Sequence, residues 1–232
     1  MGVIRHFLTI NGKNSLDFNT WISGGGTFNS PPRDIEKVTI PGRNGELIID
    51  NGRYANIEVS YDAFITKDFD KNISALRAYM GALRGYKVLQ DTYDPEHFRL
   101  ANFSSGLSVE TTARNLAGKF TLTFDCKPQR YLIKGNQTLE DVTGQLLNPT
   151  LYDALPIIRA YGTGSFSING VSVTISTANV YTDIDCERME AYKGTINCNA
   201  NINAPVFPKL APGLNTITTN MRLDITPRWW EL

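Results

Sequence analysis

Lys119-Phe120-Thr121-Leu122-Thr123-Phe124-Asp125-Cys126 alternates polar and apolar side chains without a slip. Period two puts Phe120, Leu122, Phe124 and Cys126 on one face of a strand and their neighbours on the other. One face then suits a core and the other suits water. Antiparallel sheets offer that arrangement, whereas parallel sheets covered on both sides read as continuous apolar runs. Ile57, Val59, Tyr61 and Ala63 repeat the pattern against Glu58, Ser60 and Asp62, and Met221, Leu223 and Ile225 repeat it against Arg222, Asp224 and Thr226. The fold class is therefore mainly β.

Turn signals separate the strands. Asn169-Gly170 stands between Phe166/Ile168 and Val171/Val173/Ile175 and predicts a tight hairpin with both central residues at positive φ. Pro41-Gly42-Arg43-Asn44-Gly45 parts Val38-Thr39-Ile40 from Leu47-Ile48-Ile49, and Asn51-Gly52 adds a further turn signal. Gly24-Gly25-Gly26 and Pro31-Pro32 bracket a stretch unsuited to regular structure. One segment departs from period two. From Asp70 to Arg84 the apolar residues Ile73, Leu76, Met80 and Leu83 fall at helical spacing, with Asp70 as the expected N-cap and Gly85 just past the end. Polar Lys134-Gly135-Asn136-Gln137 and the loop signal Asn148-Pro149-Thr150 mark a division. The expected organisation is a first domain over 1–134, a linker over 135–150 and a β-sandwich over 151–232.

Charge narrows the function classes. Lys+Arg and Asp+Glu are 23 each, so the phosphate-driven binding that needs a large positive excess is not expected. Residues 1–134 hold 17 basic and 14 acidic side chains (17 − 14 = +3) and 135–232 hold 6 and 9 (6 − 9 = −3), which suggests two parts with different surfaces. Met1-Gly2-Val3-Ile4-Arg5-His6 has no signal-peptide core, and no apolar run approaches transmembrane length, so synthesis without export and no membrane contact are expected.

Catalytic and metal chemistry find little purchase. His6 falls in the expected first strand and His97 in a loop-to-strand passage, neither beside a nucleophile motif. Asp183, Asp185, Glu187 and Glu190 cluster, but the spacing reads as a solvated strand edge and lacks the glycine and downstream glutamate of a calcium loop. Cys126 reads as a small core hydrophobe; Cys186 and Cys198 can pair only if the fold brings them close. No catalytic residue, metal ligand or cofactor is expected.

Several segments, taken in order, resemble the distal tail protein (Dit) family of siphophages. Phe7-Leu8-Thr9-Ile10-Asn11-Gly12-Lys13-Asn14-Ser15-Leu16-Asp17-Phe18 is similar to the family's opening strand and turn, and Pro41–Gly45 to its hairpin. The helix followed by Tyr86-Lys87-Val88-Leu89 and Asp91 resembles its single-helix insertion. Pro156-Ile157-Ile158-Arg159-Ala160-Tyr161-Gly162 resembles the start of its second domain. Asp185-Cys186-Glu187-Arg188-Met189-Glu190-Ala191-Tyr192, Leu210-Ala211-Pro212-Gly213-Leu214-Asn215-Thr216-Ile217 and Pro227-Arg228-Trp229-Trp230 complete the likeness.

The resemblance implies an N-terminal β belt domain with one helix, assembling into a homohexameric ring, and a C-terminal galectin-like or carbohydrate-module-like sandwich. It implies a non-enzymatic virion component at the phage tail tip, made in the host cytoplasm. The expected partners are further copies of itself, the tail tube protein, the tape-measure protein, a tail-associated hub or fibre protein and a receptor-binding protein. Within that frame Pro41, Gly42, Arg43, Asn44 and Gly45 are candidate subunit-interface residues. Arg43 is either a solvated turn charge or an arginine that forks onto a neighbour's carboxylate. Trp229 and Trp230 straddle both faces of any strand and are expected at a domain or subunit contact, the closing residues packing back on the first domain. The rival reading is a carbohydrate-binding module or adhesin that recognises host surface glycans through the sandwich.

Overall fold

The structure is a computed structural model that describes residues 6–24, 29–111, 116–177 and 180–232. Met1–Arg5 and the glycines Gly25 and Gly26 lie outside the described residues. The chain divides into two compact units, Met1–Arg130 with Leu232, and Tyr131–Glu231.

The first unit carries β1 (Leu8–Ile10), β2 (Lys13–Asn14), β3 (Thr20–Ser23), β4 (Arg33–Thr39), β5 (Glu46–Tyr54) and β6 (Ile57–Ile65). After α1 (Phe69–Ala82) come β7 (Lys87–Asp91), β8 (His97–Asn102), β9 (Val109–Thr111) and the long β10 (Gly118–Leu132). An antiparallel sheet runs β2-β1-β7-β8-β10-β6-β3, with β9 also on β10. The quoted stretch is the middle of β10, and its register on β6 pairs Phe120 with Ala63, Leu122 with Tyr61, Phe124 with Val59 and Cys126 with Ile57. Every one of these residues is buried, so the alternation names the core face correctly.

Helix α1 lays Phe69, Ile73, Leu76 and Met80 into the same core. It starts earlier than expected: Asp68, not Asp70, is the cap, with a left-handed backbone and no side-chain cap bond. Asp68 accepts the Asn72 N–H at 3.0 Å, and the Asn72 side chain donates to Lys67 O at 2.8 Å. The earlier start follows from Phe69, whose ring is needed in the core beside Gly118. Leu83 turns extended and buries, which ends the helix before Arg84. Asn51-Gly52 also differs from expectation. It lies inside β5, where Gly52 N–H reaches Asp50 Oδ1 at 2.8 Å and the β4–β5 register skips between Arg33 and Ile35. The turn signal is spent on a bulge.

The second unit carries β11 (Gly144–Asn148), β12 (Ile157–Ala160), β13 (Gly164–Ile168), β14 (Val171–Ile175), β15 (Thr182–Asp185) and β16 (Glu190–Lys193). It continues with β17 (Ile196–Asn197), β18 (Ile202–Asn203), β19 (Gly213–Thr219), β20 (Leu223–Thr226) and β21 (Trp230–Glu231). Two five-stranded antiparallel sheets, β11-β19-β13-β14-β18 and β17-β16-β15-β12-β20, share one core, so the unit is a β-sandwich. Phe166, Ile168, Val173, Ile175 and Ile217 come from the first sheet, and Ile158, Ile184, Leu223 and Ile225 from the second. Asn169 and Gly170 sit at φ 51° and 84° between β13 and β14, as a two-residue turn of mirror type requires. Within the stretch 135–150 lies β11, paired with β19 from Gly144↔Ile217 to Asn148↔Gly213. Cys126, Cys186 and Cys198 are all buried free thiols.

Candidate functional site

Strands β4 and β5 form a two-stranded arm in the first unit, and their side chains are almost all exposed. The pairs Ile35↔Asp50, Lys37↔Ile48 and Thr39↔Glu46 alternate with Glu36↔Ile49 and Val38↔Leu47. Directly opposed residues share a face, so Ile35 and Ile48 mark one face and Val38, Leu47 and Ile49 the other. Ile48 is 60% exposed and Leu47 44%, so apolar surface faces outward on both sides of the arm. A lone hairpin is at best marginally stable in water. Polar contacts hold this one in register: Arg33 bonds Asp50 at 2.8 Å, Arg53 bonds Asp34, and the Arg33 guanidinium lies over the Tyr54 ring. The hydrogen bonds from Arg53 and Asn51 hold the Asp34 carboxyl below its usual range.

The five expected interface residues, Pro41, Gly42, Arg43, Asn44 and Gly45, form the tip of this arm and are all exposed. Arg43 N–H closes the turn on Ile40 O at 3.2 Å. Its guanidinium makes no ion pair among the described residues, so it is available to a carboxylate from outside. The motif Pro41–Gly45 coincides with the tip of the arm. It leaves out Ile35, Leu47, Ile48 and Ile49 as candidate surface, although period two with apolar residues on both faces was there to be read in them.

The other candidate residues lie in the second unit. Trp229 packs against the sandwich core, and Gly135 lies so close to its backbone that a Cβ there would sit 2.7 Å from Trp229 N. Trp230 stacks on Tyr152 with centroids 4.4 Å apart and donates its indole N–H to Asp153 O at 3.0 Å. These contacts of both tryptophans are made inside the second unit.

The acidic cluster needs a correction. Asp183 and Asp185 are not a solvated edge; both are buried. Arg159 forks onto Asp183 at 2.7 and 3.0 Å. Arg228 forks onto Asp185 at 2.8 and 3.0 Å. Asp224, expected on the water face of its strand, is likewise buried and takes bonds from Tyr161 Oη, Arg222 and the Asp141 N–H. Burial pushes the Asp185 and Asp224 carboxyls up, but the arginines and backbone donors outweigh it and leave both lowered. These charges serve one another.

His6 stacks on Tyr93 and bonds Thr92 Oγ1 through Nδ1 at 3.0 Å. His97 Nδ1 bonds Asp94 at 2.7 Å. Burial raises the Cys126 and Cys186 thiols to about 12, which removes them as nucleophiles near neutral pH.

The chain is mainly β, with a single-helix sheet unit, a two-stranded arm and a ten-stranded sandwich. Among solved structures it is similar to the Dit protein of phage SPP1, described as a paradigm of the hub adsorption apparatus in phages infecting Gram-positive bacteria. The TM-score is 0.68 at 15% identity, over 95% of this chain and 97% of that one. It is also similar to chains of the phage P2 baseplate in its activated conformation, with calcium (TM-score 0.51, 9% identity, 96% and 98% covered) and with strontium (0.51, 10%, 97% and 98%). No protein-family model and no curated protein matches the chain.

Proposed function

We propose that this chain is a structural subunit of a long-tailed phage's tail tip, closing with further copies into a homohexameric ring. The ring joins the tail tube and tape-measure proteins on one side to the hub or fibre protein and receptor-binding apparatus on the other. Its work is positional, and no bond is broken. The observation that carries this reading is the β4–β5 arm, set beside a likeness in fold to the SPP1 Dit hub protein along nearly the whole of both chains. An arm with apolar side chains on both faces gains stability only when another surface covers it. A neighbouring subunit supplies that surface in a ring, where a head-to-tail contact closed by rotation repeats one interface around an axis. The tip Pro41–Gly45 then meets the neighbour, with Arg43 opposite a carboxylate.

The test is direct. Purified protein, alone and mixed with its hub partner, is measured by light scattering and imaged by negative stain. Closed six-fold rings are expected. Monomer in both conditions would overturn the reading.

A further inference from the structure

A cleft of about 200 Å³ opens in the first unit, floored by Val59 and Leu89 and walled by Tyr61, Asp91, Tyr93, Asp94, Arg99 and Arg130. Its acidic groups are already spent. Asp91 accepts from Tyr61 Oη and from the N–H groups of Tyr93 (2.8 Å) and Asp94 (3.0 Å). Asp94 is bonded to His97 Nδ1 at 2.7 Å and accepts from Arg130 at 3.0 Å, while Arg130 also donates to Leu232 O.

Two donors on the same walls are not spent. Arg99 NH1 and Tyr93 Oη are both buried from solvent with no hydrogen-bond partner among the described residues. A buried donor without an acceptor costs about 1–3 kcal/mol, and more when charged. An unpaired guanidinium carries the larger penalty. Burial lowers the Arg99 pKa and the nearby Asp94 offsets this only in part, yet guanidinium remains charged at any working pH, so its unbonded NH1 calls for an acceptor. Two unspent donors in one cleft therefore ask for one acceptor group.

We propose that this cleft binds a carboxylate monoanion, held by Arg99 and by the Tyr93 hydroxyl. A planar two-oxygen group matches a guanidinium fork. Arg99 and Arg130 balance Asp91 and Asp94 (2 − 2 = 0), so a monoanion leaves the cleft with one net negative charge and a phosphate dianion with two, which disfavours the dianion. Val59 and Leu89 take the methylenes that carry the acid. The volume admits the end of an acidic side chain or a small free acid. The proposal does not depend on ring formation.

The experiment uses the full chain. Thermal stability is followed against sodium propionate, sodium phosphate and an N-acetylated, C-amidated Gly-Gly-Glu-Gly-Gly peptide, at ionic strength held constant with chloride. Propionate or the peptide is expected to raise Tm saturably, and phosphate much less. Tighter response to propionate assigns a free acid, and tighter response to the peptide assigns a protein side chain; either supports carboxylate recognition. Arg99→Met, which removes the unpaired charge, is expected to melt no lower than wild type and to lose the response. Tyr93→Phe keeps the ring and its stacking on His6, and is expected to weaken the response several-fold. A Tm indifferent to both carboxylates, or an equal response in Arg99→Met, would overturn the proposal, as would phosphate binding tighter than either acid.

Discussion

Arg228 holds Asp185 in a two-pronged grip, 2.8 and 3.0 Å, although 43 positions separate them in sequence. Asp185 closes β15 and is almost wholly buried, while Arg228 stands at φ 58° just after the last sandwich strand. The pair fastens the closing segment to the sheet. Arg228 N–H on Gly135 O at 2.7 Å and Leu132 N–H on Trp229 O at 2.9 Å complete the fastening.

Acid should undo that grip. The Asp185 carboxyl is lowered from 3.8, so the stability it contributes is fully present above that value and disappears as pH falls through the depressed folded value. Asp185→Asn is expected to cost about 3 kcal/mol at pH 6, the scale of a buried pair that loses one member. In urea melts the gap between wild type and variant should narrow as pH falls below 3.8. A gap that stays constant down to pH 2 would rule out the ion pair as its cause.

Phe120–Cys126, Ile57–Ala63 and Asn169-Gly170 follow rules that act within a few positions, and the structure keeps them. Period two assigns Asp183, Asp185 and Asp224 to water, whereas the structure buries all three. Whether an arginine covers such a residue depends on partners as distant as Arg159 to Asp183, 24 positions away. Asp68 displaced Asp70 as the helix cap because Phe69 is claimed by the core, a tertiary demand no local motif encodes. Tyr93 and Arg99 carry no motif at all. They line one cleft because β7 and β8 are neighbours in the sheet, with Leu89 opposite Arg99 and Tyr93 two residues past the end of β7.

Asn215 is a second place where the sandwich depends on one side chain. It is fully buried, and its amide nitrogen donates to Leu146 O, Ala211 O and Gly213 O. Its oxygen accepts from Ala211 N–H and from Asn169 Nδ2, both at 2.7 Å. Leucine at this position fills similar space and strands those groups. Asn215→Leu should lose roughly 3–5 kcal/mol, since each buried orphan costs about 1–3 kcal/mol. Thr218→Ala, on the exposed side of the same strand, should stay within about 0.5 kcal/mol. Equal effects of the two substitutions would refute this dependence on Asn215.

The arm makes a different demand, because its residues should matter to assembly and not to folding. Ile48→Lys and Leu47→Lys change opposite faces of an exposed hairpin, so circular dichroism and melting of the monomer should barely move. The ring fraction by size-exclusion chromatography with light scattering should fall sharply for both. Arg43→Glu should do likewise, because a desolvated interface pair that loses one partner costs roughly 2–5 kcal/mol, against about 0–1 kcal/mol for an exposed pair. Intact rings from Arg43→Glu alone would leave Arg43 a solvated turn charge. Intact rings from the Ile48 and Leu47 variants as well would remove the arm from the interface.

The extent of the second unit can be measured with two fragments. One begins at Tyr131, and the other at Leu151, the start expected from the loop signal at Asn148-Pro149-Thr150. The shorter fragment lacks β11, which pairs with β19 along all five of its residues. It also lacks Asn148, which is buried, donates to Tyr152 O and Leu210 O, and accepts from the Thr150 N–H and hydroxyl. Losing β11 bares the edge of β19, and losing Asn148 removes one of the two donors to Leu210 O, which keeps the Ala154 N–H at 2.9 Å. Gly135, which seats Trp229, is lost too. The fragment from Tyr131 should unfold in one cooperative step. The fragment from Leu151 should melt lower, with a smaller denaturant slope or a tendency to associate through the bared edge. Identical melts from the two would mean that β11 contributes nothing to the sandwich and that the unit begins after it.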